Sequence, residues 1–261
     1  LSGYRRFIMG HPMYGQIKAD GKIDALIDNK HLYKFDHYPQ ISSGNAVQKL
    51  LDGTEDDAYI HTYQSGLVLY GYYIGSNTVD APVVSTEGVE YSFTDTDNIG
   101  NQWMLCLPGS IGREGQDVFT VGDAAFYARL KLKVSDADGT DDLHFGFKLA
   151  SDTVETTGVA YTDFVSINLD GGNVKMESNI NNGGATSGDS GTDIADGDVM
   201  DLEVRVSKAG LASFYHNGTQ LTTNDPSATL DTGDIVTPWF FFRNDSNKTD
   251  VILKELELGL Q

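Results

Sequence analysis

The chain is poor in cysteine, in proline and in positive charge, and each shortage excludes something. A single cysteine, Cys106, in 261 residues leaves no partner for an internal disulfide, which removes the disulfide-rich secreted scaffolds. Six prolines are too few for a collagen-like or proline-rich chain. Lys and Arg total 18 against 38 Asp and Glu, a formal net charge of −20. Nucleic acid and anionic lipid surfaces both attract a positive footprint, so neither is expected as a partner. The longest apolar runs fall well short of the ~18 residues that a membrane-spanning helix needs. The opening Leu1 to Arg6 is not followed by an apolar stretch and does not read as a secretion signal.

What is present is unevenly spread. Residues 1–60 hold 7 Lys and Arg against 8 Asp and Glu, a net of −1, whereas residues 61–261 hold 11 against 30, a net of −19. Nine of the 13 Tyr lie in the first 73 residues, and 10 of the 12 Phe lie after residue 90. Phe is a core residue, while Tyr is enriched where one side is apolar and the other wet. A turn-rich stretch at 76–88 marks the change, so residues 1–85 are expected to form an arm or small docking subdomain and residues 88–261 the main domain. Within the first part, Lys22 to Ile27 and His31 to Phe35 suggest a small hairpin. Ser43 is placed to cap a short helix over 45–51 closed by Gly53, and residues 67–74 read as a strand.

The second part alternates with period two. Leu130, Leu132 and Val134 share one face while Arg129, Lys131 and Lys133 share the other. Leu143, Phe145, Phe147 and Leu149 point one way, with His144 and Lys148 expected in solvent. Leu202, Val204 and Val206 alternate with Asp201, Glu203 and Arg205. This pattern marks antiparallel sheets with one wet face. Turn residues separate the strands at Asp138-Gly139, Asp170 to Asn173, Lys208 to Gly210 and Asn217-Gly218. About a dozen short strands with little helix predict an all-β, antiparallel, two-sheet sandwich.

Residues 198–221 read as a strand, a Gly turn, a strand ending in an aromatic pair, then Asn217-Gly218 and a short return strand. This resembles the late hairpin of concanavalin-A-like and laminin-G-like jelly rolls, as does Pro238 to Asn244 followed by a closing strand at 251–258. The resemblance covers residues 88–261 and implies a concanavalin-like jelly roll. The combination of acidity, Gly, Thr and Asp richness, and phrases such as Phe126 to Leu132 and Leu143 to Phe147 resembles structural proteins of tailed bacteriophages. That resemblance implies a non-enzymatic virion protein on the capsid surface, a decoration or cement protein. Its expected partners are the major capsid protein and sister subunits in a homo-oligomer on the particle. The alternative is a carbohydrate-binding or adhesion module on a phage tail or bacterial surface, with a glycan as partner.

Catalytic patterns are sparse. Glycanases of the jelly-roll fold carry a Glu-x-Asp-x-x-Glu strand, which aligns a nucleophile and an acid on one face. Glu55-Asp56-Asp57 begins such a pattern but lacks the second Glu, and Asp201 and Glu203 read as a solvated face. Gly188 to Gly191 superficially matches a serine-protease nucleophile segment, but its surroundings read as a long hairpin tip. No catalytic residue and no required cofactor is expected. Asp136, Asp138 and Asp141 gather hard oxygen ligands and are a weak calcium candidate, set against the simpler reading of an acidic turn. Scattered His and one Cys argue against zinc. Trp239, ahead of three Phe, is expected in the core, and Trp103 is undecided. The partner interface is expected at Tyr4, Tyr14, Tyr33, Tyr38, Tyr70, Tyr72 and Tyr73, amphipathic side chains in the segment of low net charge.

Overall fold

A computed structural model describes the backbone of residues 16–17, 23–24, 30–34, 47–51, 56–62, 68–74, 83–91, 99–104, 119–140, 142–152, 157–244 and 249–261. Side chains are described for 86–91, 119–140, 142–152, 157–243 and 249–261. The strands run in order β1 (Gln16–Ile17), β2 (Ile23–Asp24), β3 (Lys30–Lys34), β4 (Val47–Leu51), β5 (Asp56–Thr62), β6 (Val68–Ile74), β7 (Val83–Ser85), β8 (Gly88–Tyr91), β9 (Ile99–Met104) and β10 (Phe119–Thr120). They continue as β11 (Phe126–Val134), β12 (Asp142–Leu149), β13 (Phe164–Asp170), β14 (Asn173–Asn179), β15 (Thr186–Asp193), β16 (Val199–Val206), β17 (Ala212–His216), β18 (Thr219–Leu221), β19 (Ile235–Asn244) and β20 (Val251–Leu260). A single 3-10 turn, η1 (Gly158–Ala160), is the helical element among the described residues.

The chain forms an all-β, antiparallel, two-sheet concanavalin-like jelly roll. The ten-stranded sheet runs β15-β14-β13-β12-β19-β9-β6-β5-β4, with β10 also paired to β19. The eight-stranded sheet runs β18-β17-β16-β11-β20-β8-β7, with β3 also paired to β20. β1 and β2 form a separate pair. Strands from the first 75 residues therefore join both sheets, β3 through β20 and β6 through β9. Two local expectations fail here. Residues 47–51 form β4 rather than a helix, because β5 supplies a hydrogen-bonding edge that outranks local propensity. Among the described residues of the expected 22–35 hairpin, β2 pairs with β1 and β3 with β20 rather than with each other.

The core lies between the sheets and follows the alternation. Leu130, Leu132, Phe145, Phe147, Leu202 and Val204 are all fully buried. Each such side chain contributes roughly 1.5–3 kcal/mol of transfer free energy. Asn217 and Gly218 turn β17 into β18 with both φ positive, 50° and 77°. That is the type I′ geometry whose twist matches a hairpin. In β20 the alternation slips by one residue: Lys131 faces Glu255 while Leu132 faces Leu253. This bulge at Lys254 lets Leu253 and Leu256 both reach the core.

A second apolar cluster lies on the outer face of the ten-stranded sheet. In β19, Phe240 and Phe242 join the main core, while Trp239 and Phe241 join Tyr161 and Phe164 in this smaller cluster. Trp239 is thus buried as expected, but on the opposite face from the main core. His144 and Lys148, expected in solvent, are fully buried here. The covering comes from residues 150–152 and 157–164, which period-two reading of β12 cannot reveal. Lys148 Nζ donates to the Leu149 and Asp152 carbonyls, both at 3.2 Å, and lies 4.5 Å over the Tyr161 ring. Its charge is buried but well surrounded.

Candidate functional site

The outer face of the eight-stranded sheet is built by the residues that alternate with the core. β11 contributes Tyr127 and Arg129, β16 contributes Asp201, Glu203 and Arg205, and β20 contributes Glu257. Register places Tyr127 beside Arg205 and Gly259, and Arg129 between Glu203 and Glu257. An open depression of about 290 Å³ forms on this face. It is lined by Tyr127, Arg129, Glu203, Arg205, Glu257 and Gln261.

Hydrogen bonds hold these groups in place. The Tyr127 hydroxyl donates to Glu257 Oε1 at 2.7 Å. Arg129 Nη2 donates to Asp201 Oδ2 at 2.8 Å. Arg205 forks onto Glu203 through Nε at 2.7 Å and Nη2 at 3.2 Å, a bidentate pair two residues apart on one strand. Its guanidinium also lies 4.0 Å over the Tyr215 ring. Exposed ion pairs of this kind add little to stability, so their value is in fixing direction. Burial, then the hydrogen bond to Glu257 and its charge, push the Tyr127 phenol well above its ordinary pKa of 10.0.

The expected site residues fall as follows. Tyr33 lies in β3, and Tyr70, Tyr72 and Tyr73 lie in β6. Their side chains are outside the described residues, as are Tyr4, Tyr14 and Tyr38 entirely. Trp103 lies in β9, with its side chain likewise outside. Asp136 Oδ1 accepts from the Gly139 N–H at 3.0 Å, and Asp196 Oδ1 accepts from the Ala137 N–H at 2.9 Å. These carboxylates close the turn. Asp138 is exposed, and Asp141 is outside the described residues. Among the described residues no group of three or more His, Cys, Asp or Glu is arranged to hold a metal.

Ser190, expected in a hairpin tip, lies instead in β15 at the sheet edge. Its Oγ donates to the Val174 carbonyl at 2.6 Å. A Ser-His-Asp series, Ser166, His144 and Asp142, lies on the outer face of the same ten-stranded sheet, with Ser166 fully buried. A nucleophile must reach its substrate, and that hydroxyl meets no solvent. Sequence reasoning placed Glu203 and Arg205 on the wet face but did not find the cleft. Its signal is long-range: Tyr127 and Glu257 stand 130 residues apart and meet through the register of β11 with β20.

No protein-family model and no curated protein matches the chain. Among solved structures, the botulinum neurotoxin serotype C1 binding domain is similar over 89% of this chain and 49% of that chain, with 10% identity and a TM-score of 0.47. A Bacillus licheniformis β-glucanase is similar over 89% of this chain and 99% of that one, with 12% identity and a TM-score of 0.48. The carbohydrate binding module CBM66 from Bacillus subtilis is similar over 66% of this chain and 87% of that one, with 10% identity and a TM-score of 0.41. The chain spans about half the length of the neurotoxin binding domain that it matches.

Proposed function

We propose that the protein is a carbohydrate-binding module that holds a glycan in the cleft beside Tyr127. The observation that supports this reading is the lining: two guanidinium groups, two carboxylates, an amide and a phenol converge on one open depression of the sheet. Sugars present vicinal hydroxyl pairs, which planar guanidinium and carboxylate groups can meet two bonds at a time. A phenol adds an apolar surface for a ring's C–H groups. The lining charges balance, Arg129 and Arg205 against Glu203 and Glu257, while the chain as a whole carries −20. This field repels acidic glycans and favours neutral ones. The test is an array of neutral and acidic glycans. Neutral hits are expected, weakened tenfold or more by Arg205→Ala and by Glu203→Gln. An array without hits, or hits that both variants leave unchanged, would remove this reading.

The charge asymmetry of the sequence supports a second reading, a capsid decoration protein of a bacteriophage. The segment of low net charge would approach a capsid protein or sister subunit, and the acidic remainder would face outward. Deleting residues 1–40 would then abolish incorporation into particles that lack the protein. Normal occupancy by the truncated chain would refute that docking role.

A further inference from the structure

His144 is completely buried, yet it stands between two carboxylates. Its Nε2 lies 2.5 Å from Asp142 Oδ1. Its Nδ1 lies 3.0 Å from Ser166 Oγ and 3.8 Å from Glu177 Oε2. That Glu177 oxygen is buried and has no hydrogen-bond partner, while Oε1 accepts from Ser187 Oγ at 2.9 Å. A neutral imidazole carries one N–H. With the hydrogen on Nε2, nothing compensates the buried Glu177 oxygen. With it on Nδ1, the Nε2 lone pair faces a carboxylate at 2.5 Å. The imidazolium, with two N–H groups and a positive charge, satisfies both sides.

The remaining described charges around the ring are consistent with this. Asp170 on β13 acts on His144 at longer range and is itself paired with Lys175 of β14. Arg243 of β19 is the register partner of Asp142 and favours its ionised form. The ring stacks on Trp239 at 5.5 Å between centroids, and meets Phe164 and Phe241 edge-on at 6.0 Å each. Burial works against a charge on His144, but Asp142, then Glu177 and Asp170, outweigh it and raise its pKa above 6.5. Burial likewise works against the Asp142 carboxylate, and the His144 charge and hydrogen bond outweigh it and lower its pKa.

The same pair touches the segment above it. The Gly158 N–H donates to Asp142 Oδ2 at 3.4 Å. Gly158 lies so close to the imidazole that an added Cβ would come within 2.3 Å of the ring. Tyr161 packs edge-on against Trp239 at 4.9 Å, and its carbonyl accepts from Asn179 Nδ2 at 2.8 Å. Residues 157–161 therefore close over His144 and Trp239 with the ion pair as one of their fastenings.

We propose that the His144–Asp142 pair is a proton-operated latch that holds residues 157–161 down over the Trp239 face. When His144 gives its proton to solvent, the buried Glu177 and the partly buried Asp142 carboxylates face a neutral ring. Water relieves them, and it enters as 157–161 lifts. The closed form binds the proton more tightly than the open form. Closure is therefore fully favoured below about pH 6.5, the ordinary histidine value, and is lost as pH rises through the higher value of the closed form. One proton is involved, so the opening constant grows about tenfold per pH unit across that window. The latch also weakens in acid, as pH falls through the depressed Asp142 value.

The test is amide hydrogen exchange on the full chain, corrected for intrinsic rates, read at 157–163 and at 200–206 in the opposite sheet. Opening at 157–163 is expected to rise about tenfold per pH unit above pH 6.5, with 200–206 unchanged. In His144→Gln the same segment should open to an extent independent of pH. Should that variant fail to fold, the imidazole proton resonances of His144 in the native chain give a second reading. A His144 that still holds its proton above pH 6.5 supports the latch. Opening that ignores pH in the native chain, an unchanged pH dependence in His144→Gln, or a His144 already neutral at pH 6.5 would overturn it.

Discussion

Gly158 and His144 approach so closely that no side chain fits between them: a Cβ on Gly158 would lie 2.3 Å from the ring Cδ2 and Nε2. The imidazole cannot step aside, because Trp239 and two carboxylates hold its other sides. Gly158→Ala is therefore expected to destabilise the fold by about 1–3 kcal/mol through overpacking. Thermal denaturation checks it, and an unchanged midpoint would show that 157–161 shifts freely.

The main core makes a larger claim on stability. Leu202 is fully buried opposite Leu130, so Leu202→Ala should cost about 2–5 kcal/mol by urea denaturation. Val199, half exposed at the start of the same strand, should tolerate Ala with a change of about 0.5 kcal/mol or less.

The turn between β17 and β18 gives a sharper contrast. Gly218 has φ 77°, and Asn217 Oδ1 accepts from the Asp201 N–H at 2.8 Å. Gly218→Ala should cost about 1 kcal/mol from backbone strain. Asn217→Ala should cost about 1–2 kcal/mol, losing both the hydrogen bond and the residue best suited to positive φ. Equal stability of both variants with the native chain would contradict the type I′ assignment.

Tyr127 sets an alkaline limit. Its phenol is raised above 10.0 in the folded chain, so the folded form keeps a proton that the unfolded form releases. Stability must then fall as pH rises past 10, and Tyr127→Phe should reduce that fall. Tyrosinate absorbance should show one phenol ionising later than an exposed tyrosine. Titration of Tyr127 at the ordinary value would contradict the hydrogen bond to Glu257.

The inner faces of β11, β12 and β16 were legible because burial selects every second residue, and the selection is written locally. The outer face of β12 was not. His144 and Lys148 read as solvent-facing, and only the return of residues 157–164 over them makes that face dry. β15 was illegible for a different reason: Thr186 to Asp193 carries no apolar alternation, and it is a strand because β14 offers an unpaired edge. Residues 47–51 read as helix until β5 supplied a partner. The charged half of the cleft was visible in Arg129, Glu203 and Arg205, whereas Glu257 is brought beside them only by the register of β11 with β20.

The most direct test of glycan recognition is to add the best neutral glycan from the array to isotope-labelled protein and follow which amide resonances move. Shifts should concentrate at Tyr127, Arg129, Glu203, Arg205 and Glu257, with β12 to β15 unmoved. Shifts confined to the ten-stranded sheet or to loops far from Tyr127, or no shifts at saturating glycan, would contradict the cleft as the binding site.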